Sequence, residues 1–102
     1  MHGSLDLVFG AFADPTRRAI LAELQGGESA VHDLASRFDM SRPGVSKHLA
    51  VLRNAGLVRE ERRGRENIYA IERAAMGEAR AWLAAFWKGR LAALKHLAEE
   101  DE

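Results

Sequence analysis

Apolar residues recur along most of this chain with the period of an α-helix, and give way to short, partly β-branched runs only once. Leu5, Val8, Phe9 and Phe12 are spaced i, i+3, i+4, i+7 and predict a first helix. Asp14-Pro15 marks a boundary, because aspartate caps helix N-termini and proline suits the first helical position. The second helix runs on through Ile20, Leu21 and Leu24 and stops at Gly26-Gly27. Ser29 is expected to cap a third helix, with Val31, Leu34, Ala35 and Phe38 on one face. Asp39-Met40-Ser41 is a tight connection. Ser41 caps a fourth helix, which holds Pro43 in its first turn, where the missing N–H costs little, and ends at Asn54-Ala55-Gly56.

The pattern then changes. Leu57 to Arg62 and Glu66 to Ile71 predict two strands, with Arg63-Gly64-Arg65 as the turn and Gly64 supplying a positive φ. A long final helix is expected from about residue 74 to 98. Its apolar positions form two adjacent stripes, Trp82/Phe86/Leu97 and Leu83/Trp87/Leu91/Leu94. One stripe suffices to pack on a small core, so the other is expected to bury itself elsewhere. The element order predicts a mainly α chain with a small β-hairpin, a winged helix-turn-helix. Residues 1–102 read as a single domain, with the helix-turn-helix at about 30–55 and the wing at about 57–71.

The fourth helix carries the most specific signal. Val45, Leu49 and Leu52 recur at i, i+4, i+7 as a core stripe, while Arg42, Pro43, Ser46 and Lys47 fall on the other side. A helix with one core face and one short, basic, hydrogen-bonding face is what reading a major groove requires. Arg and Lys can donate to guanine O6/N7 or to phosphate, and Ser41 and Ser46 are permissive hydroxyls. His48 lies between the faces, and a DNA contact and a packing role are both open to it. At the wing, Arg62, Arg63 and Arg65 are candidates for phosphate or minor-groove contact. Glu60 and Glu61 weaken the local field, so the tip rather than the stems should bind. Arg17 and Arg18 can meet the DNA backbone or pair with Glu23 or another nearby carboxylate.

Net charge is zero, which argues against a nucleic-acid ligand until its distribution is considered. Residues 1–40 hold three Lys/Arg and six Asp/Glu, whereas residues 41–65 hold seven Lys/Arg and two Glu. Basic charge is thus concentrated in the segment already assigned to DNA. Cysteine is absent, which removes disulfides, thiolate metal sites and Cys nucleophiles together. The four histidines, at 2, 32, 48 and 96, are scattered, and no glycine-rich phosphate loop follows a strand. No enzyme chemistry and no cofactor are expected. Met1-His2-Gly3-Ser4 carries no weight in this reading. Without an apolar run near ~20 residues or a secretory pattern, no membrane partner is expected and a cytoplasmic location is.

The chain closely resembles the ArsR/SmtB family of dimeric bacterial repressors. The matching residues are Phe12-Ala13-Asp14-Pro15-Thr16-Arg17-Arg18-Ala19-Ile20-Leu21, Leu34-Ala35, Ser41 to Leu49, Leu52-Arg53-Asn54-Ala55-Gly56-Leu57-Val58, and Gly64-Arg65 with Ile68-Tyr69. Their order and spacing together are specific, over about residues 5–98. The resemblance implies a homodimer paired through the first helix, about 4–13, and the last, about 74–98. It further implies a double-stranded DNA operator and release by an effector, whose identity the sequence leaves open. The interface would draw on Leu5, Val8, Phe9, Phe12, Trp82, Phe86, Trp87, Leu91 and Leu94.

Departures from the family pattern are informative. Metal-sensing members often place Cys-x-Cys before the Asp-Leu of the third helix, where this chain has Ala30 and His32. A second family site needs ligands that fall at Leu83 and Ala85 here, so only its other half, His96 and Glu99, is present. Two ligands per chain fall short of the usual three or four. The chain therefore resembles the branch without metal ligands. A protein-interaction module on a winged-helix frame, recruiting another protein through Trp82 and Trp87, is the alternative function, with a metal-responsive repressor behind it.

Overall fold

Helix caps set the frame. In the computed structural model, which describes residues 2–100 apart from the side chains of residues 2–4, 91 and 100, α1 spans His2–Phe12 and α2 spans Pro15–Leu24. The Asp14 side chain accepts from the Arg17 amide at 2.9 Å, as an N-cap should. That bond holds the Asp14 carboxyl below the usual aspartate range. Arg17 and Arg18 do something the sequence did not suggest. Arg17 donates to the Ala11 and Gly10 carbonyls at 2.9 and 3.1 Å, and Arg18 to the Phe12 carbonyl at 2.6 Å. Two guanidinium groups thus donate to the carbonyls that end α1, of which Gly10 also accepts from the Ala13 amide at 3.2 Å, and positive charge there also suits the helix dipole.

Helix α3 spans Val31–Phe38, and α4 spans Arg42–Asn54. Ser29 does not cap α3. Ser29–Ala30 form a short strand, β1, and Ala30 stands at the cap position without a side-chain bond. Antiparallel pairing of Ser29 with Tyr69 and of Ala30 with Ile68 claims this segment. The resulting sheet is three-stranded, in the order β1-β3-β2, with β2 at Val58–Arg63 and β3 at Glu66–Ile71. Ser41 does cap α4, accepting from the Gly44 amide at 3.1 Å.

The wing turn is one residue tighter than the sequence pattern suggests. Arg63 pairs with Glu66, leaving Gly64-Arg65 as a two-residue loop. Gly64 has φ +60° and Arg65 is not in the positive-φ region, which is the pattern of a II′ turn.

The core is a single cluster that includes Val8, Ile20, Leu34, Val45, Leu49, Leu52 and Leu57, all with no exposed surface. Every element of the helix-turn-helix contributes to it. Val8 therefore has no surface left to offer another chain, and its place is in this chain's own core rather than at an interface. Leu5 and Phe12 are partly buried against the same cluster.

Helix α5, Arg73–Glu100, breaks with expectation. Ala75, Met76 and Ala79 pack on the core, and Trp82 meets Phe9 edge-on at 5.5 Å between ring centroids. Beyond that point the described large apolar side chains of both stripes stay on the surface. Phe86, Trp87 and Leu94 are 61%, 57% and 61% exposed, and Leu83 and Leu97 are exposed too. The Leu91 side chain lies outside the described residues. The helix projects, so the molecule measures 64 × 28 × 21 Å with a radius of gyration of 17.7 Å. A compact chain of this length would have about 13 Å. Among the described residues no helix is long and apolar enough to cross a membrane.

Two measurements check this frame. Leu49→Ala should lower unfolding free energy by about 2–5 kcal/mol in urea titrations, since its whole side chain is buried in the core cluster; a change within ~0.5 kcal/mol would mean that α4 does not rest on this core. The Asp14 cap makes a pH-dependent contribution. Its carboxyl titrates lower folded than unfolded, so the stabilisation is present above the ordinary aspartate range and is lost as pH falls through the folded value. The melting-temperature gap between wild type and Asp14→Ala should therefore be wider at about pH 7 than at about pH 3. An equal gap at both would contradict the cap.

Candidate nucleic-acid interface

The α4 core stripe fixes which side chains are left outside. With Val45, Leu49 and Leu52 fully buried, Arg42, Pro43, Ser46 and Lys47 all face solvent. Among the described residues, Arg42 and Lys47 have neither an ion pair nor a hydrogen bond through their side chains, and the Ser46 hydroxyl is likewise unengaged. Two unpaired cations and a free hydroxyl thus share the N-terminal half of one exposed helix face. That is the end whose backbone amides and dipole also favour phosphate.

The neighbouring residues have structural work. The Ser41 hydroxyl is occupied as the cap acceptor. Gly44 lies close against the same cap: a Cβ there would come 3.2 Å from Ser41 Oγ and 3.3 Å from Met40 Cε. Its small size thus serves the first turn of α4. Pro43 has no N–H to donate and lies exposed in that turn. His48 is half-buried, its Nδ1 3.8 Å from Asp14 Oδ2, so it links α4 to the N-cap of α2.

At the wing the three arginines are not equivalent. Arg63 is held by Glu28 and also donates to Glu61 at 2.7 Å; its second nitrogen reaches Glu28 at 3.1 Å. These bonds hold the Glu28 carboxyl below its ordinary range and raise the Arg63 guanidinium. Arg63 therefore ties the wing to the segment entering β1. Arg62 donates to the Gly64 carbonyl at 2.9 Å and lies 3.3 Å from Asn67 Oδ1. Arg65, at the turn itself, has no side-chain partner among the described residues. The pair Glu28–Arg63 spans 35 positions of sequence, and no local pattern announces it.

Glu23, weighed as a partner for Arg17 or Arg18, pairs instead with Arg37 at 2.9 Å. His32 sits 3.3 Å from Asp33 and 3.6 Å from Glu66. Among the described residues no three His, Asp or Glu side chains gather closely enough to hold a metal ion. His96 and Glu99 lie one turn apart on α5.

Comparison with known proteins agrees with this geometry. The family model described as bacterial regulatory protein, arsR family, matches residues 14–60, from the α2 cap into the wing. The HTH-type transcriptional regulator Rv2034 of Mycobacterium tuberculosis is 37% identical over 100 residues, covering 98% of this chain and 94% of that protein. The transcriptional repressor SdpR of Bacillus subtilis is 35% identical over 79 residues, covering 78% of this chain and 88% of SdpR. Among solved structures, the homodimeric winged helix-turn-helix DNA-binding domain Mb0332 of Mycobacterium bovis is 29% identical. It superposes with a TM-score of 0.67, over 93% of this chain and 82% of that one. This chain belongs to the arsR family of bacterial regulatory proteins: it is a winged helix-turn-helix transcriptional regulator, not an enzyme.

Proposed function

We propose that this chain is a homodimeric repressor that binds an inverted-repeat DNA operator, with α4 in the major groove and the wing tip beside it. The observation that carries the reading is the exposed, unpaired trio Arg42, Ser46 and Lys47 above a fully buried stripe. Arg42 and Lys47 donate to phosphate or to guanine edges, and Ser46 supplies the neutral hydrogen bond. Arg65 adds a phosphate or minor-groove contact, with Arg62 behind it and Arg63 holding the wing in place. Ser41, Pro43 and His48 shape the approach of α4.

A second copy accounts for α5. Trp82, Leu83, Phe86, Trp87 and Leu94 leave a large apolar surface uncovered in one chain, larger than a stable monomer ordinarily exposes. Pairing through this helix and α1, where Leu7 is exposed beside half-buried Phe9, covers it. Two α4 helices about 34 Å apart would then meet successive major grooves on one side of the duplex. The relative SdpR is a named repressor and Mb0332 a named homodimer, and the exposed apolar surface of α5 fits the second property.

Arg42, Lys47 and Arg65 in each of two chains make about six phosphate-directed cations, so affinity for a 30-base-pair duplex should fall on the order of 10³-fold between about 50 and 200 mM salt. Fluorescence anisotropy measures this directly. The double variant Arg42→Glu/Lys47→Glu should lose at least about tenfold in affinity at the lower salt. A flat salt dependence, or a double variant that binds like wild type, would contradict the reading.

A further inference from the structure

The backbone joins α4 to the wing through only Ala55-Gly56-Leu57. Bonds from the Gly56 amide to the Arg53 carbonyl (2.9 Å) and from the Leu57 amide to the Leu52 carbonyl (3.0 Å) fix the root of the wing. They do not fix its arm, which extends to Arg65. Two sets of side chains do: Arg63 ties the arm to Glu28 ahead of β1, and a second set ties it to α4. Tyr69, buried in the core cluster on β3, donates its hydroxyl to Glu60 Oε2 at 2.9 Å. Glu60 stands directly across from it on β2. The other carboxylate oxygen, Oε1, accepts from Arg53 in the last turn of α4. Burial and the neighbouring carboxylate push the Tyr69 hydroxyl up to about 12, so it keeps its proton and stays a donor.

Glu60 calls for an explanation. It is an acid within the most basic stretch of the chain, beside the surface assigned to DNA, where a carboxylate repels phosphate. A half-exposed ion pair adds little to stability. Its two oxygens are instead divided between a side chain anchored in the core and one at the end of α4. We propose that Glu60 is a positioning residue for DNA binding: bridging Tyr69 and Arg53, it sets the angle between α4 and the wing, and so decides where Arg65 meets the duplex. This rests on the DNA-binding reading above.

A double-mutant cycle tests it, with a random-sequence 30-base-pair duplex as the probe at about 50 mM salt. Arg65→Ala is measured alone, in a Glu60→Ala background and in a Tyr69→Phe background. Melting curves confirm that each variant folds. Tyr69→Phe alters no charge, and the cycle cancels the general gain expected from deleting the Glu60 carboxylate. In the unmodified chain Arg65→Ala should weaken binding about fivefold; in either background the loss should shrink below about twofold. Equal losses in all three backgrounds would overturn the proposal and leave DNA binding intact. An Arg65→Ala change without effect in the unmodified chain overturns it as well, since the wing then has no contact to place. Failure of wild type to bind the duplex removes both readings.

Discussion

The burial of Val45, Leu49 and Leu52 is the constraint on which the rest of the molecule turns. These three side chains have no exposed surface, and together they fix the rotation of α4 about its own axis. A helix with its inner face so determined has no freedom over what it shows outside. Arg42, Ser46 and Lys47 are presented because their opposites are buried, and several carboxylates of the chain are engaged with other residues. Asp14 caps α2, Glu23 holds Arg37, Glu28 and Glu61 hold Arg63, and Glu60 holds Arg53. These five acids serve the architecture, and the exposed face of α4 carries Arg42 and Lys47 for a polyanion.

The chain is stable in layers of unequal completeness. Around α4 the core is closed, and among the described residues no buried side-chain nitrogen or oxygen is left without a partner. Along α5 the reverse holds. Trp82, Phe86, Trp87, Leu94 and Leu97 are each more than half exposed. Burying such side chains is worth about 1.5–3 kcal/mol apiece. A 28-residue helix with that surface suits the pairing with a second copy proposed above, and the helix-turn-helix is built on the end that the chain completes alone.

Much of this was legible in the sequence. The α2 cap at Asp14, the α4 cap at Ser41, the core stripe of α4 and the hairpin at Gly64 are local devices, with residue types and spacings that act within one turn of chain. What the sequence hid depends on distant strands or on rotamers. Ser29 has the composition of a cap, yet pairing with Tyr69, 40 positions away, makes it a strand. Arg17 and Arg18 sit at helical spacing suited to salt bridges, but the open carbonyls of α1 are nearer. The wing shows how little separates success from failure. Reading a three-residue turn instead of the two-residue Gly64-Arg65 shifts the register by one and moves Glu60 off Tyr69. The bridge to Arg53 then disappears from view. Likewise, the equal standing of Arg62, Arg63 and Arg65 in the sequence dissolves once Glu28 is seen to hold Arg63.

The central claim is that α4 reads sequence in pairs, which requires both the exposed trio and a two-fold partner. The most direct measurement is selection of bound fragments from a random DNA pool at about 150 mM salt, where non-specific phosphate binding is suppressed. Recovery of an inverted repeat with half-sites about 10 base pairs apart is the predicted result. Protein that is folded and dimeric but enriches no sequence, or enriches one lacking two-fold symmetry, would contradict it.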